Sequence, residues 1–517
     1  MSENTQEFGT KLFRTLLIVS LVTALAVPAF AVSPSSIQDT PSTRDTTKEG
    51  ICHPGPDDPD PMPDEVSHDH KDGAQHDFKC GLKLVDYESF ETIVPEATLF
   101  GEFDVAGTIG AIAVTFENGG FVLVDLANPR DPQPLSRFMP PGCDQPDADC
   151  GTDVKLRPDA QVAFVSSQDV PGKGGIFTVN ISDPRNPQLD HFLPIGEGGT
   201  HMLAYHEIGG QGYVFAIKNG FGISINKVES RRGKTVLTPV TEIPVGRSGQ
   251  HDVFLYDDPV ESKTFLYLSG EIVGWRIFDV TNPATPLQVG LWEPPIAKQN
   301  ALWYAHNAWT WRSGEKRYTF VGPESVALVP FHGEIPTNVW LLDTTDHANI
   351  KLLGTWTNPS DRPGGNLGFS AHNIWMAEDG VFWMAHYHGG VWLLDWRDAM
   401  AGKSKTAKEL GYMVPNQSKR QIISRADLGP FYSRLDFFRQ PLIWDVVYKD
   451  GLAYAADMNG GLYVIERESP EELKKLETKR ETQKGSDGLL ILGGVLAATV
   501  LVILLIKLSA GKTGPGA

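Results

Sequence analysis

An excess of positive charge is missing from this sequence. Lys and Arg number 45 against 64 Asp and Glu, for a formal net charge of -19 over 517 residues. A nucleic-acid binder needs a basic stripe facing the phosphates, so no nucleic-acid partner is expected. Also missing are the short phrases of common chemistries: there is no nucleophile elbow, phosphate-binding Gly loop, dinucleotide fingerprint or HExxH zinc helix. Their absence argues against hydrolase chemistry built on a serine nucleophile and against nucleotide chemistry. Cysteine is scarce. Cys52, Cys80, Cys143 and Cys150 are the four, and none forms a CxxC pair that would hold zinc or a redox centre. In an oxidising compartment an even count reads as two bridges, with three pairings open. Cys52–Cys80 and Cys143–Cys150 are favoured, because each pair closes a local Asp- and Pro-rich segment.

Hydrophobic runs long enough to matter to a membrane lie at the two ends. Lys11 and Arg14 precede an apolar run from Leu16 to Val27, and Ala29-Phe30-Ala31 has the small residues of a cleavage site. Residues 1–31 therefore read as a secretory signal peptide. An N-terminal membrane anchor is the alternative, for which the run is short. Gly488 to Ile506 is 19 residues without a charge, closed by Lys507. Residues 488–507 thus read as a transmembrane helix with a short tail, 508–517, whose Lys512 suits the cytoplasmic side. The expectation is a single-pass protein of the cell membrane with the bulk of the chain outside. Residues 32–82, rich in Ser, Thr, Asp and Pro, read as irregular, and the charged segment 468–487 as a stalk.

What is abundant between these segments is a repeat. The clearest copies are GGFVLVDLANPRDPQPLSRF (119–138), GGIFTVNISDPRNPQLDHF (174–192) and VGWRIFDVTNPATPLQVGLW (273–292). Weaker ones are NVWLLDTTDHANIKLLGTW (338–356), GGVWLLDWRDAM (389–400) and GGLYVIERESP (460–470), and a degenerate one spans Asn219 to Lys227. A Gly or Asn opens a β-rich apolar run, and a polar residue closes it: Asp125, Asn180, Asp279, Asp343, Asp395 and Glu466. Gly takes backbone conformations that other residues enter at a cost, the apolar run suits a strand buried on both faces, and Asp or Asn followed by Pro starts a turn. With the degenerate copy ending at Lys227 counted between Asn180 and Asp279, successive copies lie about 45 to 70 residues apart, the long period of a propeller. The expected fold is all-β, a closed β-propeller of about seven four-stranded blades over 83–467. The blades fall at 96–140, 150–195, 198–245, 250–295, 303–357, 371–415 and 444–467. The last lacks an outer strand, which residues 83–94 would supply; closure matters because it removes exposed edges.

The repeated phrase resembles that of the LVIVD-repeat family of extracytoplasmic β-propellers. The resemblance covers roughly residues 96–467 and implies a fold, not an activity.

A second pattern marks the start of each blade. Thr200-His201-Met202-Leu203, His251-Asp252-Val253-Phe254, His306-Asn307-Ala308-Trp309 and His372-Asn373-Ile374-Trp375 are its copies, and Thr152-Asp153-Val154 and Trp444-Asp445-Val446 replace the His. Strand direction puts His201, His251, His306 and His372 on one rim. The hairpins joining second and third strands share that rim and bring Lys218, Glu271, His386 with His388, and Asp457. The insertion at 323–337 adds Glu324 and His332. Two readings stay open. Several neutral imidazoles converging on an axis suit a transition metal such as copper, zinc or iron. Alternatively, each His-Asp or His-Asn pair locks neighbouring blades through backbone hydrogen bonds, as the Gly-His of WD repeats does. The His placement is similar to that of selenium-binding proteins, the methanethiol oxidases; that resemblance implies copper and an oxidase activity.

Two further segments carry candidates. His68, His70 and His76 lie among acids before Cys80, either as a surface metal trap or as a solvated linker. Residues 417–443 carry Lys419, Arg420, Arg425, Arg434 and Arg439 with four aromatics, either an anion-recognising lid or a packed loop. The functional expectation is a cell-surface propeller presenting its top face to a ligand or protein. The alternative is a copper-dependent oxidase that uses the axial histidines.

Overall fold

Each copy of the repeated phrase closes the third strand of an antiparallel blade. The computed structural model describes residues 78–94, 99–115, 118–145, 148–170, 174–196, 198–218, 222–245, 251–270, 274–294, 304–324, 338–358, 370–415, 441–469 and 471–472. Two strands, β1 (Phe78–Cys80) and β2 (Leu82–Glu88), precede the first blade, which is β3 (Leu99–Ala106), β4 (Ile109–Thr115), β5 (Gly120–Asp125) and β6 (Gln133–Phe138). The second is β7 (Asp149–Leu156), β8 (Val162–Asp169), β9 (Gly174–Asn180) and β10 (Gln188–Gly196). The third is β11 (Thr200–Ile208), β12 (Gln211–Lys218), β13 (Gly222–Arg231) and β14 (Lys234–Ile243). The fourth is β15 (Asp252–Asp258), β16 (Lys263–Gly270), β17 (Gly274–Asp279) and β18 (Leu287–Trp292). The fifth is β19 (Tyr304–Ser313), β20 (Lys316–Glu324), β21 (Val339–Asp343) and β22 (Lys351–Trp356). The sixth is β23 (Ile374–Glu378), β24 (Val381–Ala385), β25 (Val391–Asp395) and β26 (Lys408–Val414), with a four-residue helix α1 (Arg397–Met400) inside it. The seventh is β27 (Ile443–Lys449), β28 (Leu452–Asp457) and β29 (Gly461–Arg467), completed by β2. The chain is a seven-bladed β-propeller.

The turn chemistry explains the phrase. Asp125 Oδ1 accepts from the Ala127 N–H at 2.8 Å, and Asn180, Asp279, Asp343 and Asp395 do the same two residues on. In the three clearest copies and in the fifth blade a second Asx turn follows at once: Asn128, Asp183, Asn282 and Asp346 each accept from the N–H two residues on. In the sixth blade α1 replaces the second turn. The third blade lacks the phrase because β13 and β14 are long and join directly through Arg232 and Gly233, both at positive φ (53° and 79°). The opening Gly serves a close approach as well as a turn. Gly390 has φ of 77°, and a Cβ there would stand 2.1 Å from the Met413 carbonyl oxygen of the adjacent outer strand.

Both faces of each blade are buried. Along β24, Val381, Trp383 and Ala385 pack toward the seventh blade while Phe382 and Met384 pack toward the fifth. Among the described residues, one apolar cluster fills each interface between neighbouring blades, including that between the seventh and the first. The innermost strands touch in succession all the way round: β3, β7, β11, β15, β19, β23, β27 and back to β3.

Closure comes from the N-terminal side, as the missing outer strand requires. β2 pairs antiparallel with β29 from Leu82–Arg467 to Glu88–Leu462, and Tyr87 stacks on Tyr463 with ring centroids 4.8 Å apart. The strand is Leu82–Glu88 rather than 83–94. After it Phe90 and Val94 turn into the core between the seventh and first blades. The irregular segment expected up to 82 also ends sooner, because β1 pairs with β26 and gives the sixth blade a fifth strand. Cys143 and Cys150 are bonded, and Cys80 is in a disulfide. Its expected partner Cys52 lies outside the described residues, as do the expected signal peptide 1–31, the expected stalk beyond Glu472 and the expected span 488–507. Among the described residues no helix is long and apolar enough to cross a membrane.

Candidate metal centre

The axial side chains are aimed by irregularities at the start of the innermost strands. In β19, Ala305 pairs with Pro323 and Asn307 with Gly322, leaving His306 as the extra residue of a bulge. The same shift frees His201 in β11 and Trp444 in β27. A bulge breaks the strict alternation of a strand and re-aims one side chain, here toward the axis. His251 and His372 stand one and two residues ahead of β15 and β23, their N–H groups bonded to Ser269 and Ala385 carbonyls at 2.9 Å each.

The result is an arc of rings from five consecutive blades. Centroids lie 4.8 Å apart for His201–His251, 4.4 Å for His251–His306, 3.9 Å for His306–His372 and 4.0 Å for His372–Trp444. These contacts settle the alignment of the third blade, since His201 itself takes the histidine position. Glu324, the last residue of β20, reaches the arc. Its Oε2 is 3.4 Å from His251 Nε2 and 3.7 Å from His306 Nε2. One ligand atom from each of His251, His306 and Glu324 falls within 4.8 Å of the others, and all three residues are buried. Ligands held about 2.0–2.2 Å from a tetrahedral ion stand about 3.3–3.6 Å apart, so small shifts of these side chains would enclose a metal.

Electrostatics prepare the imidazoles for that role. Burial depresses His201 to about 4, and Glu102 opposes the shift only in part. Burial, reinforced by the neighbouring histidines, holds His251 and His306 well below their ordinary values. His372 is depressed in the same way, chiefly by burial and then by His251. At neutral pH the rings are therefore uncharged and keep the lone pair a metal needs. Among the described residues neither ring nitrogen of His306 has a hydrogen-bond partner.

Aspartates make bonds between neighbouring blades. Asp153 Oδ2 accepts from Leu203 N–H of the third blade at 2.8 Å, and Asp445 Oδ2 from Phe103 N–H of the first, also at 2.8 Å. Asp104 Oδ2 likewise takes Leu156 N–H of the second blade at 2.7 Å. Two of these carboxylates stand in the copies that lack histidine, and the His-Asn copies also bond across blades: Asn373 N–H donates to the Trp444 carbonyl at 3.5 Å and Trp275 Nε1–H to the Asn307 carbonyl at 2.8 Å.

Several expected residues lie on the second-to-third hairpins as expected but outside the His251–His306–Glu324 group. His386 and His388 are in the turn between β24 and β25. His386 Nδ1 is 3.2 Å from the Asn358 amide and its ring 6.1 Å from Trp356, both on the outer side of the fifth blade. His388 is buried in the same turn. Lys218 pairs with Glu242 at 2.7 Å, and Asp457 caps its own hairpin by accepting from Asn459 and Gly460 N–H. The residue the sequence reading passed over is Tyr387. Its hydroxyl donates to Glu324 Oε1, and its ring lies 5.3 Å from His372 and 5.7 Å from Trp444. Only its place between two histidines at a hairpin pointed to it. Glu271, His332, His68, His70, His76 and the basic segment with Lys419, Arg420, Arg425, Arg434 and Arg439 lie outside the described residues.

No protein-family model matches the sequence, and no curated protein matches it. Similar solved structures include Sqt1 of Saccharomyces cerevisiae, at 11% identity and a TM-score of 0.44, covering 71% of this chain and 82% of that one. The C-terminal WD40 domain of Sif2 is 9% identical with a TM-score of 0.44, covering 75% and 99%. The WD40 propeller domain of Doa1 is 9% identical with a TM-score of 0.45, covering 75% and 98%.

Proposed function

We propose that this chain is an extracytoplasmic propeller, anchored by residues 488–507, whose axial site binds a transition metal through His251, His306 and Glu324. The observation that carries the reading is the grouping of two buried neutral imidazoles and one buried carboxylate, with ligand atoms within 4.8 Å of one another. Export is supported by the N-terminal run and by the Cys143–Cys150 bond, since disulfides persist in oxidising compartments.

Two imidazoles and a carboxylate suit zinc, iron(II) or copper(II). Three protein ligands leave a coordination position for water or a small molecule, and a bound metal would supply Lewis acidity or one-electron chemistry there. The ligand taken up by the top face is then the metal itself or a small molecule coordinated to it. The oxidase alternative belongs to this site and requires copper. His201 and His372 extend the arc with further neutral imidazoles.

The test is elemental analysis of protein purified without an affinity tag, beside His306→Ala and Glu324→Gln. About one zinc, iron or copper per chain in the wild type and a loss of it in both folded variants is expected. Wild-type protein that contains no metal and takes up none of the three overturns the proposal.

A further inference from the structure

We infer that Tyr387 is a positioning residue for the metal site: it engages Glu324 Oε1 and so leaves Oε2 as the single ligating oxygen. This rests on the metal reading above. The two carboxylate oxygens have different surroundings. Oε2 faces His251 Nε2 and His306 Nε2 at 3.4 and 3.7 Å, and Oε1 accepts the Tyr387 hydroxyl. A carboxylate with both oxygens available can bind a metal through one or both; one that accepts a hydrogen bond on the far oxygen is held to one.

The backbone around Tyr387 is built to aim this ring. Tyr387 has φ of 36°, a left-handed conformation that bulky residues rarely adopt. A reciprocal pair of backbone hydrogen bonds with Ile443 of the seventh blade, each 3.1 Å, holds it there. The reversal sends the tyrosine inward while His386 faces Asn358 on the fifth blade. The ring is fully buried and wedged against His372 and Trp444. Tyr387 thus joins a ligand of the fifth blade to the strand that opens the seventh, and the site's geometry depends on the last interface of the ring.

Cobalt(II) is the probe, because its visible spectrum reports coordination number and ligand type. Full-length protein stripped of metal is titrated with cobalt(II), as wild type and as Tyr387→Phe, which keeps the ring and removes only the hydroxyl. The expected result is a ten- to hundredfold weaker affinity and an altered spectrum in a variant that still melts cooperatively, the range found for partners of metal ligands. A variant that melts lower yet binds cobalt(II) with unchanged affinity and spectrum makes the hydroxyl merely structural and overturns the inference while leaving the metal site standing. Wild-type protein that takes up no cobalt(II) overturns the site reading and this inference together.

Discussion

His306 has both ring nitrogens buried and, among the described residues, without a hydrogen-bond partner. Leaving such groups unsatisfied costs about 1–3 kcal/mol, whereas an apolar side chain of similar size would fill the place without that cost. The proposed metal would reverse the balance, because it would bind the folded chain and add its own binding free energy. Metal-stripped His306→Leu should therefore melt at or above stripped wild type, and zinc(II) should raise only the wild type. Thermal melts with and without zinc(II) check this. A stripped variant that melts several degrees lower would show the ring to be a structural pin. Asp445 makes the contrasting case. Burial, reinforced by Glu102, raises its carboxyl to about 7, against the opposing pull of Lys155, Phe103 N–H and the Asn373 amide. From the unfolded value near 4 up to about 7, only the folded chain keeps this proton. The associated stability is thus present at low pH and lost as pH rises through 7. Between pH 5 and 8, wild type should lose more melting temperature than Asp445→Asn, whose amide oxygen still accepts from Phe103 N–H. Parallel melting curves for the two proteins would remove Asp445 from the account.

At the scale of strands and turns, much of the molecule was legible. The closers Asp125, Asn180, Asp279, Asp343 and Asp395 announce Asx turns because a short polar side chain can bond only the backbone just ahead. The missing outer strand of the seventh blade announced β2 because an unpaired edge must be covered. Gly390→Ala should cost about 2 kcal/mol or more, from strain at positive φ and contact with the Met413 carbonyl; denaturant unfolding measures it. Deleting the chain up to Val94 removes β2 together with Phe90 and Val94, and should lower the melting temperature sharply. An unchanged melting temperature would contradict the closure. What the sequence concealed were features without a local signature. β1 pairs with a strand more than three hundred residues away, and nothing in Phe78-Lys79-Cys80 specifies that partner. Tyr387 was hidden by its neighbours: in an alternating strand His386 and His388 would share a face, but the left-handed backbone at 387 breaks the alternation. Glu324 read as one acid in a long insertion, and only the pairing of β20 with β19 places it beside His306.

The ring as a whole is what makes the centre. His251 comes from the fourth blade, His306 and Glu324 from the fifth and Tyr387 from the sixth, with Trp444 and Ile443 of the seventh holding the tyrosine. No one blade could assemble the group, so metal binding should be as cooperative as folding, and denaturant should release the ion in the same transition that unfolds the propeller. The central claim is the identity of the ligands, and X-ray absorption on the native, untagged metalloprotein reads it directly. The account predicts a first shell of nitrogen and oxygen at about 2.0–2.2 Å, with outer scattering from two imidazoles. A shell containing sulfur, or outer scattering that shows no imidazole, would contradict it.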